Sequence, residues 1–299
     1  MTLQDLFQAF GDEIEDPEEE SFLLFSQSIP SQNLGFVDAK ATDLEITVSG
    51  RDLSIVQSPG LLSSNREGGT TGAVVWKITP LFAEWITSEN HILFRTAVLD
   101  QDSEVLELGC GTSGIVAIML APKIGRYIAT DQDYVFRLLK ANVEGNALKQ
   151  KPSSKVKQER KATSNSGSGS SRTNVEVIAL DWEASSVSNL SSLFGPRSDD
   201  TPHTLDALVA CDCIYHEALI DPFVQTCAEI CQLAKSAPDK KLTVCIIAQQ
   251  LRSDSVFGDW LLAFHKVFRV WRVPDELSIE GLTQGSGFVI HVGVLRGNL

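Results

Sequence analysis

The 299-residue sequence contains no apolar run near the roughly 18 residues needed to span a bilayer, so a helical membrane protein is not expected. Basic residues are missing from its start: Met1 to Glu20 holds eight acidic side chains and neither Lys nor Arg. A signal peptide needs a basic beginning and an apolar middle, so secretion is disfavoured. The deficit runs through the chain, with 25 Lys and Arg against 39 Asp and Glu and a net charge of −14. That sign is wrong for displacing counterions from a nucleic acid and right for meeting a basic partner. The six cysteines include no CxxC, and the five histidines include no HExxH. No metal site is therefore expected, and the thiols are read as buried and reduced. The GxSxG elbow of α/β-hydrolases is also missing. These absences leave a soluble intracellular enzyme, expected in the cytoplasm with the nucleus left open.

What is present is a regular alternation. After a short helix at Leu3 to Phe10 and the charged run Asp12 to Glu20, segments Asp43 to Ser49 and Asp52 to Gln57 suggest a hairpin around Gly50-Arg51. A helix follows, with Pro80 in its first turn and Leu81, Phe82, Trp85 and Ile86 on one face. From Val105 onwards, strand-length apolar runs alternate with helical stretches through the helix Ser255 to Val267. Continuous apolar strands imply burial on both faces, hence a mostly parallel sheet with helices on each side. Phe268 to Val273 and Phe288 to Leu295 are extended with no helical pattern between them, so one of the pair should run antiparallel. The expected fold is α/β, Rossmann-like, with seven strands in the sheet. Residues 1–75 are expected to form an acidic segment and hairpin extension, and 76–299 the main domain. Residues 149–174, polar and rich in Ser, Gly and Lys, read as a flexible insertion.

The strongest local signal is VLELGCGTSG at 105–114, a strand running into a glycine-rich turn and a helix. Gly109 and Gly111 let the backbone turn sharply and approach a ligand closely. Twenty residues beyond Gly111, Asp131 ends the next strand, where a carboxylate can accept both hydroxyls of a ribose. Spacing alone suits a dinucleotide as well as another nucleoside. Glu107, two residues before Gly109, gives the ExGxG form that recurs in S-adenosyl-L-methionine-dependent methyltransferases, where the acid organises the loop around an amino group. The long N-terminal region and the antiparallel ending favour the same choice.

In sequence order, TTGAVVW at 70–76, VLELGCGTSG, Thr130-Asp131, LDW at 180–182 and DCIY at 212–215 form a set. As a set they resemble the methyltransferase-like 21 group of seven-β-strand protein methyltransferases. Within it the likeness is narrowest to the fungal ribosomal lysine N-methyltransferase 5 proteins, supported by SPGLL from Ser58 and GTTG from Gly69. The resemblance spans about residues 55–296. It implies that Trp76 borders the methionine end of the cofactor, that Gly109, Cys110 and Gly111 cradle it, and that Trp182 lies by the adenine. It places Cys211 on the pocket floor, or Ala210 if the register shifts by one. Asp212 and Tyr215 match the acid-x-x-Tyr motif and would face the donor methyl, Asp212 orienting the amine and Tyr215 shaping the channel. The Pro-Pro of NPPY and DPPY motifs is missing, which disfavours DNA adenine and glutamine substrates. The implied activity is protein-lysine N-methylation of a basic substrate, a large-subunit ribosomal protein by the narrower likeness. The alternatives are another target, such as a chaperone or elongation factor, or an NAD(P)-binding or non-catalytic nucleotide-binding protein.

Overall fold

A computed structural model describes residues 3–31, 34–64, 69–147, 173–183, 187, 190, 205–235 and 242–297. Its helices are α1 (Leu3–Phe10), α2 (Pro17–Phe25), α3 (Pro59–Leu62), α4 (Ile78–Thr87), α5 (Ile92–Arg95), α6 (Ile115–Leu120), α7 (Phe136–Gly145), α8 (Ile220–Lys235) and α9 (Asp254–Val267). A hairpin is formed by β1 (Asp43–Val48) and β2 (Arg51–Val56). The main sheet contains β3 (Glu104–Leu108), β4 (Arg126–Asp131), β5 (Val175–Ala179), β6 (Ala207–Cys211), β7 (Val244–Gln250), β8 (Phe268–Arg272) and β9 (Phe288–Leu295). Their order is β5-β4-β3-β6-β7-β9-β8, parallel except for β9, which pairs antiparallel with both neighbours. This is the seven-strand architecture with one reversed C-terminal strand that the apolar runs imply. No helix among the described residues is long and apolar enough to cross a membrane.

The period-two alternation of side chains sorts the strands' apolar residues into two cores. On β6, Ala207, Val209 and Cys211 face one cluster with α4, α6 and α7, while Leu208 and Ala210 face the other with α8 and α9. On β7, Val244, Ile246 and Ala248 join the first cluster and Cys245 and Ile247 the second. Both faces are covered, so the strands can be apolar throughout.

Residues on both sides of position 75 contribute to these cores. Leu6, Phe10, Leu44, Leu53 and Ile55 lie in the first cluster and Leu24 in the second. Phe7 stacks on Trp271 with ring centroids 4.3 Å apart, and Glu13 pairs with Arg269 at 2.6 Å. The acidic run also differs from its reading as a merely charged stretch: α2 starts within it. Asp16 caps it by accepting from the Glu18 and Glu19 amides at 2.8 and 3.2 Å, and Pro17 sits in the first turn, where its missing N–H costs nothing. The hairpin turn lies one residue earlier than expected. Ser49 and Gly50 both take positive φ (49° and 73°), which a tight primed turn demands, and Arg51 pairs with Val48 inside β2. Of the expected insertion 149–174, residues 149–172 lie outside the described residues. Asn174, just before β5, donates from Nδ2 to the Ala121 and Ile124 carbonyls, both at 2.8 Å.

Candidate active site

The chain leaves β3 towards β4 and β5 on one side, then returns to the other side of β3 at β6. Open α/β sheets bind ligands in the crevice outside the carboxyl ends of strands at such a reversal. A cleft opens there, and its lining includes Trp76, Glu107, Gly109, Cys110, Gly111, Asp131, Trp182, Cys211, Asp212 and Tyr215. The sequence candidates thus converge, except Ala210. That residue is outside the cleft lining and packs in the second core, so the register places Cys211 at the cleft.

The glycine loop has little spare room. Gly109, Gly111 and Gly114 take φ of 67°, 63° and 60°, the left-handed region that side chains strain to enter. A Cβ on Gly109 would lie 2.6 Å from Cys213 Sγ and 3.1 Å from the Trp182 ring. A Cβ on Gly111 would lie 3.1 Å from the Gly72 carbonyl oxygen. The loop is clamped from three directions. Thr112 donates its amide to the Gly72 carbonyl (2.8 Å) and Cys110 to the Thr130 carbonyl (3.1 Å). Asn142 of α7, 2% exposed, donates from Nδ2 to the carbonyls of Thr112 (2.7 Å) and Val56 (2.8 Å). Its Oδ1 accepts from the Val56 amide at 2.9 Å, which ties hairpin, helix and loop together.

Asp131 accepts from the Gly111 amide at 2.8 Å and the Gln132 amide at 2.7 Å. These bonds orient the carboxylate at the β4 end and use part of its acceptor capacity. Glu107, 2% exposed, accepts from the Tyr127 hydroxyl at 2.8 Å. Burial pushes its carboxyl up to about 8, against the Tyr127 hydrogen bond and helped by the nearby Asp131 charge. Burial also pushes the Cys110, Cys211 and Cys213 thiols well up, so none is a ready nucleophile.

Asp212 leaves β6 with φ 58°, an unusual conformation for a residue other than glycine. Its side chain is 1% exposed and held by a forked ion pair: Arg252 Nη1 donates to Oδ1 at 2.7 Å, and Nη2 meets Oδ2. Arg252 also donates to Gln250 Oε1 at 2.9 Å and lies over the Trp76 ring, 4.8 Å from its centroid. Trp76 is anchored by its indole N–H to the Thr71 carbonyl (3.0 Å) and packs on Phe36. Tyr215, 42% exposed, stands at the rim with its hydroxyl accepting from Thr71 Oγ1 at 3.3 Å. Trp182 packs edge-on against Phe223.

Three participants escape a reading by motif. Arg252 lies two residues beyond β7, with no local pattern to announce a partner 40 residues earlier. Gln250 closes the same network. Asn142 carries a weak signal: a buried amide within a helix requires partners.

The donor set fits a nucleoside bearing an amino-acid tail. The glycine cradle would lose its room if a Cβ were added, a carboxylate ends β4, and a buried acid lies between that end and Asp212.

A family model described as lysine methyltransferase matches residues 55–258. A Schizosaccharomyces pombe protein named diaminohydroxyphosphoribosylamino-pyrimidine deaminase is 26% identical over 274 residues, 91% of this chain and 56% of its own length. Ribosomal lysine N-methyltransferase 5 of Zygosaccharomyces rouxii is 31% identical over 217 residues, 68% of this chain and 66% of its own. The chain thus spans between half and two thirds of these two relatives. A solved structure of a TehB-like SAM-dependent methyltransferase from Corynebacterium glutamicum aligns with TM-score 0.39 and 14% identity, covering 72% of this chain and 94% of its own. With the family model covering more than half of its residues, the chain belongs to the lysine methyltransferase family.

Proposed function

We propose that the protein methylates the side-chain amine of a lysine in a ribosomal protein, of the large subunit, with S-adenosylmethionine as donor. The observation that carries this reading is the single cleft spanning the Asp131–Gly111 contact and the Asp212–Tyr215 corner, at the carboxyl ends of three adjacent strands. The name of the Zygosaccharomyces rouxii relative supports the ribosomal target, and the net charge of −14 suits a basic substrate. The donor supplies an electrophilic sulfonium methyl when bound. Asp131 would hold its ribose, the 109–111 backbone and Glu107 its amino-acid tail, and Trp182 its base. These assignments agree with the roles of Trp76, Cys110 and Cys211 as cleft walls.

A lysine is protonated in water, with an ordinary pKa near 10.4, and attacks only as the free amine. Asp212 orients that amine by a hydrogen bond, and the exposed face of Tyr215 meets residual positive charge as the side chain enters. The nitrogen's lone pair forms the new bond to the methyl carbon while that carbon's bond to sulfur breaks, its electron pair staying on sulfur as a thioether. The methylated nitrogen then sheds a proton to water, so no strong base is required. Alignment in such a cleft contributes up to roughly 7–11 kcal/mol to lowering a barrier.

The test combines purified chain, methyl-labelled S-adenosylmethionine and ribosomal proteins stripped from their RNA. The expected result is label on lysine in one large-subunit protein. Cofactor binding without lysine label in that fraction refutes the substrate, and failure to bind cofactor refutes the whole reading.

A further inference from the structure

The acid that faces the amine end of the cleft is not a lone charge. Asp212 shares both carboxylate oxygens with the Arg252 guanidinium, and the same guanidinium lies over the Trp76 ring, 4.8 Å from its centroid. Further contacts fix the arrangement. The Gln250 amide donates to Asp212 Oδ1 at 3.3 Å, Gln250 Oε1 accepts from Arg252, and the Asp212 amide donates to the Ala248 carbonyl at 2.8 Å. The segment at Gly35 closes over the outside. Its carbonyl accepts from the Lys77 amide at 2.8 Å, and a Cβ on Gly35 would collide with Gln250 Oε1 and Arg252 Nη2. Asp212 itself sits in left-handed backbone, which the surroundings must hold in place.

We propose that Arg252 is a positioning residue for methyl transfer, cancelling the charge of Asp212 while fixing Asp212 and Trp76 as the two walls of the amine end. This rests on the reading of the cleft as a lysine methylation site. A lone carboxylate beside an incoming lysine stabilises the ammonium and delays loss of its proton. A carboxylate already paired in a planar fork offers a directional acceptor with little net charge, and the nearby guanidinium disfavours a second cation. The site therefore selects the neutral amine, the form that attacks.

The titratable and charged groups around this pair are few enough to name. The Cys211 and Cys213 thiols flank Asp212 on the strand end, and both are pushed well up by burial. Glu107 on β3 acts on the Cys211 thiol from across the sheet, Tyr215 stands at the rim, and Lys77 follows Trp76 in the chain. From α4, Thr79 brings a neutral hydroxyl 3.8 Å from Cys211 Sγ.

The test is a pH profile of methyl transfer at saturating cofactor, alongside cofactor affinity and thermal melting, for a short series of variants. In Arg252→Met, Asp212 becomes a lone acid. The rate at pH 7 should fall tenfold or more, the midpoint of the pH profile should move up by about one unit, and cofactor affinity should stay within a few-fold. Arg252→Lys keeps the charge but not the fork, so it should lower the rate with the midpoint unmoved. The double variant Asp212→Asn with Arg252→Met removes both charges, and its midpoint should return to that of the wild type. Because Arg252→Met strands a buried charge and can unfold the chain, Arg252→Gln, which keeps a hydrogen-bond donor for Asp212 but no charge, is the second deciding variant. Its midpoint should also move up, and a wild-type midpoint in it overturns the proposal. A uniform fall at all pH values, with equal midpoints throughout, overturns the proposal and leaves Arg252 a structural tie. A wild type that binds cofactor but methylates no lysine overturns the functional reading and this proposal with it.

Discussion

Glu107→Gln separates the electrostatics of the cleft from its shape. In the folded chain Glu107 is buried beneath the glycine loop and its carboxyl is raised from 4.5 to about 8. Unfolding returns it to ordinary solvent. Between these values the folded state holds a proton that the unfolded state has released. The unfolded state thus binds fewer protons, and stability falls as pH rises through the window. The limiting slope is about 1.4 kcal/mol per pH unit for one proton, on the order of 5 kcal/mol across the whole span. Glutamine keeps the shape, and its amide oxygen can still accept from Tyr127, but it cannot ionise. The difference in unfolding free energy between Glu107→Gln and wild type should therefore grow in favour of the variant from pH 5 to 8 and then level off. Urea unfolding at unit pH steps measures this directly, other groups cancelling in the difference. Parallel curves for the two proteins would refute the buried-acid argument. Ligand binding adds a second readout. If Glu107 meets the ammonium of the cofactor tail, S-adenosylhomocysteine should release close to one proton at pH 7 from wild type and none from the variant. Calorimetry in buffers of different ionisation enthalpy counts those protons.

Other perturbations follow from the same contacts. Asn142→Ala strips partners from the Thr112 carbonyl and from the amide and carbonyl of Val56; at about 1 kcal/mol per bond it should cost about 2–4 kcal/mol in urea unfolding and weaken cofactor binding by loosening the loop. Gly111→Val forces a β-branched residue to a φ of 63° and a Cβ to 3.1 Å from the Gly72 carbonyl, so cofactor binding should be lost while circular dichroism retains a folded spectrum. Tyr215→Phe keeps the ring and loses only the 3.3 Å contact with Thr71, so methyl transfer should stay within a few-fold of wild type. Tyr215→Ala should lower it at least tenfold, with cofactor affinity little changed in both, as read by single-turnover transfer and titration.

The sheet was legible because its central strands are buried on both faces: Val105 to Leu108, Leu205 to Cys211 and Phe288 to Leu295 stand out as apolar runs without any appeal to distant contacts. The glycine loop and the β4 end of the cleft were legible for a related reason. Gly109, Gly111 and Asp131 act through backbone conformation and strand position, which spacing reports. α2 lay hidden behind its charge, although Asp16-Pro17 followed by three glutamates is a helix start. The hairpin register slipped by one because Ser49 is an unexpected residue at positive φ. The Asp212–Arg252 fork was not legible at all. A pair of side chains 40 residues apart leaves no periodic trace, and only the packing of β6 beside β7 brings their ends together.

That difference explains how the site is built. Each wall of the cleft depends on a partner that sequence order separates widely. Thr112 is held by Gly72, 40 residues earlier. Asn142 holds Thr112 and also Val56, 86 residues away. Trp76 is packed by Phe36 on one side and by the Arg252 guanidinium nearby. A glycine loop alone is conformationally permissive and therefore poorly defined. Here its left-handed residues are over-determined by amide contacts from segments on both sides of position 75. The N-terminal hairpin, the 69–76 segment and the post-β7 arginine are thus parts of one cradle. Loosening any of them should be felt at the glycine loop or at Asp212, because these are the points where their hydrogen bonds end.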